Sequence, residues 1–143
     1  MPLIVRESPH FLIEQCESCP LPGYLILHVQ GGCQSLAGLD PEWAAELGAM
    51  LARTARAIEA VVRPDRIYTM MFAEVKREIH FHLFPRTDWL LQQYWDATGT
   101  RGLPVDGPAL FQWAREQIVP GGTRVPEGPS VAEAQELLRA ALN

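Results

Sequence analysis

One segment constrains the fold of this chain more than any other: LDPEWAAELGAMLARTARAIEAVVRPD, from Leu39 to Asp65. Asp40 is placed as an N-cap whose carboxylate can accept free backbone N–H groups. Pro41 takes the tolerated first helical position, and Glu42 favours the positive end of the helix dipole. Leu47, Met50 or Leu51, Ala55, Ile58 and Val62 recur at helical spacing, while Arg53, Arg56 and Glu59 lie largely away from that stripe. Pro64 stops the pattern. The segment predicts one helix from about residue 41 to about 62. A helix with a single apolar stripe must bury it against something flat, and a sheet is the obvious partner.

The flanking sequence supplies the strands. LIVR (3–6) and HFLIEQC (10–16) are rich in Ile, Val, Leu and Phe, and Ser8-Pro9 breaks between them, so they read as two strands joined by a turn. PLPG ends the second, YLILHV (24–29) reads as a third, and Gly31-Gly32 releases the chain into a loop. After the helix, RIYTMMFA (66–73) and EIHFHLF (78–84) read as two more strands, with EVKR as a short antiparallel connection. Past Pro85 the pattern weakens. A helical patch is expected near DWLLQQYW or ALFQWAREQI, and Ser130 with Glu133 three residues on forms a capping box for a terminal helix. The expected architecture is α+β: one 143-residue domain with an antiparallel sheet, one long helix packed on it and a C-terminal helical extension.

The strand EIHFHLFPR carries the chemistry. Side chains alternate, so Ile79, Phe81 and Leu83 share a core face while Glu78, His80 and His82 share the other. The two imidazoles start about 6.8 Å apart at the backbone, close enough to converge on one small group. They could line the polar side of a half-solvated sheet, supply two ligands of a metal site, or act as a catalytic pair. Glu78 is a poor third metal ligand, its backbone lying about 13.6 Å from that of His82.

The stretches from Gly23 to Val62 and RIYTMMFAEVKREIHFHLFPR together resemble the histidine triad (HIT) proteins, over roughly residues 1 to 86. Those proteins end their last core strand with His-x-His-x-His and often Pro-Arg. In that phase His80 matches the middle histidine and His82 the last, while Glu78 stands where the first would be and Gly32 where many members carry an earlier histidine. The resemblance implies hydrolysis or transfer at the α-phosphate of a nucleotide conjugate. His80 would be the nucleophile that forms a nucleotidyl-histidine, and His82 an acid or phosphate ligand. The chemistry suits the residues: neutral imidazole is a good nucleophile near pH 7, a neighbouring imidazolium can stabilise phosphate oxygens, and positioning does most of the catalysis. No metal or other cofactor is implied. A zinc site of the kind some of these proteins carry would need histidines where Gly32 and Glu78 stand. The resemblance further implies a small nucleotide ligand and a homodimer, with Leu27, Gln30, Glu74 and Glu78 as candidate substrate contacts. Turnover lost through Glu78 and Gly32 would leave a nucleotide-binding or regulatory module.

Glu78 itself is expected to turn aside, to pair with Lys76, Arg77 or another cation, or to accept an imidazole N–H and raise that histidine's pKa, because a carboxylate facing the nucleophile would repel phosphate. The net charge of −5 argues against a nucleic-acid polymer as partner, though not against a single nucleotide in a pocket. No apolar run has the length of a membrane span and no signal-peptide pattern opens the chain, so no membrane partner and a cytoplasmic location are expected. Cys16, Cys19 and Cys33 read as reduced thiols; the C-x-x-C of Cys16 and Cys19 has no second pair, and a turn follows it instead of a helix.

Overall fold

The computed structural model describes residues 3–143; the first two positions of the expected 1–86 core lie outside the described residues. The fold is α+β. Strands β1 (Ile4–Glu7), β2 (Phe11–Gln15) and β3 (Leu25–Val29) precede a 3-10 turn at Leu36–Gly38 and helix α1 (Pro41–Val62). Then come β4 (Arg66–Met70), β5 (His80–Arg86), α2 (Asp88–Thr98), α3 (Gly107–Gln117) and α4 (Val131–Leu142). The strands form one antiparallel sheet in the order β1-β2-β3-β5-β4.

Helix α1 begins and ends where its punctuation places it. The Asp40 carboxylate accepts the Glu42 N–H at 2.9 Å, and Arg63 closes the helix in the left-handed region while its N–H reaches the Glu59 carbonyl. Leu47, Met50, Ala57 and Ile58 are buried against Phe11, Ile13, Leu25, Leu27, Ile79 and Leu83. Thr54 is buried too, in a position the apolar stripe assigns to Ala55; its hydroxyl donates to the Met50 carbonyl at 2.6 Å, which satisfies the polar atom within its own helix.

The β4–β5 hairpin differs from its sequence pattern. Met71–Ala73 leave the strand and β5 starts at His80, so the connection runs from 71 to 79. The ladder ends at the Met70–His82 pair, and Ala73 at φ 52° cannot continue an extended strand. β5 also runs further than expected, through Pro85 to Arg86.

Both of the helical patches after Pro85 form, and they cover the sheet face opposite α1. Leu90, Leu91 and Tyr94 of α2 and Leu110 and Ala114 of α3 pack with Cys16, Cys19, Leu21, Tyr24 and Phe84. Helix α4 goes to the other side, burying Ala134, Leu138 and Leu142 in the α1 cluster. Its capping box is present in full, and its end is tied down where Asn143 donates to the Val5 carbonyl at 2.9 Å.

Candidate functional site

The site forms where β3 and β5 pair. His28 lies opposite His80 and Ile26 opposite His82, so alternation places Tyr24, His28, His80, His82 and Phe84 on the face away from α1. Three imidazoles stand in a row there. The rings of His28 and His80 stack at 5.7 Å between centroids, and those of His80 and His82 lie 5.4 Å apart at 56°.

Hydrogen-bond partners assign each tautomer. His80 Nδ1–H donates to the Glu78 carbonyl at 2.9 Å, which leaves Nε2 with its lone pair. His82 Nδ1 lies 2.6 Å from the Tyr24 hydroxyl. That hydroxyl oxygen accepts from Arg115 Nη1 at 2.7 Å, so its own proton points to His82 Nδ1 and Nε2 carries the ring N–H. His28 Nδ1 accepts from the Lys76 ammonium at 3.0 Å, and its Nε2–H donates to the Glu14 carboxylate at 2.9 Å.

The electrostatics agree with these assignments. Burial, followed by His80, Arg115 and His28, lowers the His82 pKa to about 4. At neutral pH it offers the N–H of a neutral ring and not the imidazolium that the sequence reading allows. Burial and then Lys76 also lower His28, against the pull of Glu14. Burial pushes Tyr24 up, keeping its proton on the oxygen where the network needs a donor.

Local sequence explains why Tyr24 is in place. Gly23 stands at φ 82°, and a Cβ there would sit 3.0 Å from Val62 of α1; glycine alone turns the chain into β3 at that spot. The next residue then drops its ring between Phe84 and Phe111.

Of the residues expected at the site, His80 and His82 come together. Glu78 precedes the strand and serves His80 through its backbone carbonyl; its side chain lines a depression of about 230 Å³ with His28, Gln30, Gly32 and Lys76. Lys76 does not pair with Glu78 but donates to His28. Gln30 borders that depression, but its amide is committed to the Ser8 and Phe11 carbonyls at 2.8 and 3.2 Å, where it holds the β1–β2 turn. Leu27 is not at the site. It is 0% exposed, on the opposite face of β3, in the core against α1. Glu74 is exposed on the 71–79 loop and takes no part in the hydrogen bonds of the three histidines.

Tyr24, Phe111 and Arg115 are the residues that sequence reasoning misses. Nothing local marks Phe111 and Arg115, which reach the site from a helix; Tyr24 and His28 could be found from the same alternation that pairs His80 with His82. Cys16 and Cys19 sit beneath this face as buried free thiols, and burial, then the neighbouring Cys16, raises the Cys19 thiol to about 12. Such a thiol is inert. Among the described residues no group of three or more His, Cys, Asp or Glu is placed to hold a metal ion, and no helix is long and apolar enough to cross a membrane.

By sequence, no protein-family model and no curated protein matches the chain. By structure, its fold is that of the histidine triad proteins. A hypothetical histidine triad nucleotide-binding protein from Sulfolobus tokodaii superposes with a TM-score of 0.63 at 13% identity, covering 99% of this chain and 83% of its own. A zinc-bound histidine triad family protein from Mycobacterium smegmatis gives 0.60 at 20% identity, covering 99% and 84%. A HIT-like protein involved in cell-cycle regulation from Bartonella henselae gives 0.60 at 17%, covering 99% and 88%. The superpositions therefore extend over the C-terminal helices as well as the sheet and α1.

Proposed function

We propose that the protein is a nucleotide-conjugate hydrolase or nucleotidyl transferase acting at the α-phosphate through a nucleotidyl-His80 intermediate. The observation that carries this reading is the hydrogen bond from His80 Nδ1–H to the Glu78 carbonyl. It leaves the Nε2 lone pair of the neutral ring free to attack without a general base to activate it. The Nε2 lone pair attacks phosphorus, the bond to the leaving group breaks, and the leaving group departs with its electron pair, as a phosphate anion or, for a phosphoramidate, as an amine that takes a proton from solvent. The ring then carries phosphorus on Nε2 and a proton on Nδ1, and the Glu78 carbonyl accepts from that now cationic N–H. His82 donates its Nε2–H to a phosphoryl oxygen, with Tyr24 and Arg115 holding the ring in that tautomer. Water attacks the phosphorus of the intermediate, the P–Nε2 bond breaks with its electron pair returning to the ring, the water's proton passes to solvent and the monophosphate leaves; another acceptor in place of water makes the step a transfer.

The nucleoside lies over β2 and β3, in a depression of about 580 Å³ bordered by Glu14, Cys16, Ser18 and Ile26. A homodimer accompanies this reading: β4 is an edge strand, and Phe72 and Val75 beside it are 68% and 100% exposed.

Incubation with a panel of dinucleoside polyphosphates and nucleoside phosphoramidates, followed by mass spectrometry of the intact protein, tests the reaction. Expected are monophosphate product and a nucleotidyl adduct, both lost in His80→Asn with a fall in turnover of more than about a thousandfold. Saturable nucleotide binding with neither product nor adduct would overturn the enzymatic reading in favour of a binding module.

A further inference from the structure

With His82 and His28 neutral, the reacting face is short of positive charge. Burial above all lowers both rings, and the Arg115 guanidinium is held behind His82 on the Tyr24 oxygen. On the His80 side stands Lys76, in the exposed part of the 71–79 loop, and its ammonium donates to His28 Nδ1 at 3.0 Å. Among the described residues no carboxylate pairs with that ammonium, although Glu74 and Glu78 flank it in the chain. An ammonium has three N–H donors, so two remain for another acceptor.

The manner in which Lys76 is held suits a charge that must not be cancelled. A carboxylate at position 28 would hold the ammonium and neutralise it; a neutral imidazole holds it and leaves the full charge in place. Glu14 makes this arrangement possible. It accepts His28 Nε2–H at 2.9 Å, which fixes the tautomer with Nδ1 as an acceptor. Glu14 is the diagonal cross-strand neighbour of His28, whose ladder partner is Leu12. The loop is anchored where it returns to the sheet: Ile79 N–H donates to the Cys33 carbonyl at 2.9 Å, and the Ile79 carbonyl accepts from Val29 N–H at 3.1 Å. The ammonium therefore borders the depression of about 230 Å³, one ring away from His80, whose imidazole stacks on His28 at 5.7 Å.

We propose that Lys76 is a ligand of the substrate phosphate and that His28 is the positioning residue that holds it, its tautomer set by Glu14. The inference rests on the reaction proposed above and deepens it. Negative charge on the phosphoryl oxygens, during attack by His80 Nε2, meets a fixed ammonium on one side and the neutral His82 N–H on the other. No proton moves along Glu14, His28 and Lys76; the chain acts by placement alone. Of the three imidazoles in the row, the middle one attacks and the outer two present donors, His82 directly and His28 through Lys76.

Isothermal titration with AMP, GMP, CMP and UMP against their parent nucleosides, run beside kcat/KM on the nucleoside phosphoramidates, tests this assignment. Lys76→Met should weaken monophosphate binding and lower kcat/KM, each about tenfold, while nucleoside binding holds within about twofold. Lys76→Arg should recover part of both. Arg77→Met makes the same charge change one residue on and should leave both within about twofold. His28→Leu should reproduce the Lys76→Met losses, and adding Lys76→Met to it should cost less than about a further twofold. Lys76 is exposed, so Lys76→Met carries the test even where His28→Leu fails to fold. If the phosphoramidate is cleaved and Lys76→Met matches wild type, or Arg77→Met loses as much, the inference is overturned and the reaction stands. Losses in Lys76→Met and His28→Leu that multiply would overturn the positioning role of His28. If wild-type protein binds the monophosphates and cleaves nothing, the reaction falls; a tenfold loss of that binding in Lys76→Met then still supports the ligand, and an unchanged affinity overturns it. If wild-type protein neither binds nor cleaves, both fall.

Discussion

The open start of β5 and the covered stretch that begins two residues later carry the same side chain and treat it in opposite ways. At the His80 end the strand emerges from an exposed loop. The neighbours are polar: Glu78 and Lys76 border a shallow depression, and the imidazole proton is parked on a main-chain carbonyl. At the His82 end α3 closes over the sheet, Phe84 is fully buried among Tyr24, Tyr68 and Phe111, and a chain of two short hydrogen bonds runs inward from Arg115. The open end frees a nitrogen lone pair; the covered end commits one and turns the opposite nitrogen into a donor. Under the proposed reaction, spacing alone would not decide which histidine attacks and which holds; the cover over the strand would.

Removing that cover should produce the largest effect. Phe84→Ala empties a site with 0% exposure in the middle of the second cluster and is expected to cost about 3–5 kcal/mol in urea or thermal unfolding. Lys76→Ala at the open end removes an exposed side chain and should stay within about 0.5 kcal/mol. Equal losses at the two ends would erase the contrast.

Acid offers a smaller and graded version of the same comparison. His82 has a folded pKa of about 4 against 6.5 for the free side chain, and His28 is lowered as well. Between these values the unfolded chain binds protons that the folded chain refuses, so stability falls as pH drops. The contribution is fully present above pH 6.5 and is lost on the way down through about pH 4. Urea midpoints measured at intervals from pH 7.5 to 4 should decline over this window, and the decline should flatten in His82→Asn. An unchanged slope in that variant would mean that the covered end holds its histidine no differently from solvent.

Much of this contrast is legible in the chain, and the rest has a physical reason for being hidden. The caps of α1 and α4 are local chemistry, read within four residues, and both form as written. The parity of β5 separates Ile79 and Leu83 from His80 and His82. The same parity in YLILHV puts Tyr24 and His28 with the histidines and sends Leu27 to the core, on the opposite face of the sheet. Arg115 is different. It lies 91 positions from Tyr24 in the chain, on a helix whose own periodicity says only that one side is apolar. Its role depends on how α3 docks, and docking is set by the summed packing of Leu110, Ala114 and Ile118, not by any short pattern. The loop from 71 to 79 misleads for a related reason: Met71 and Phe72 have strand-forming side chains, but the ladder stops at Met70–His82 although β5 continues to His80, and Ala73 at φ 52° turns the chain out of the extended region.

The smallest effect is expected where the sequence departs most visibly from the triad. Glu78 replaces a histidine in the resemblance, and a carboxylate beside a phosphate-binding nucleophile would be costly if it faced the reacting atoms. It sits before β5, in the depression shared with His28 and Lys76, and what His80 takes from it is a carbonyl oxygen. Any side chain at position 78 keeps that oxygen. Glu78→Gln should therefore leave kcat/KM within about twofold, because neither the lone pair on His80 nor the proton on His82 depends on the carboxylate. Glu78→Pro probes the other half: proline keeps the carbonyl but fixes φ and removes the main-chain N–H, so any misdirection of the carbonyl should lower kcat with the side-chain charge already gone. A large loss in Glu78→Gln would move the carboxylate into the reaction and make the open end of β5 a three-residue site.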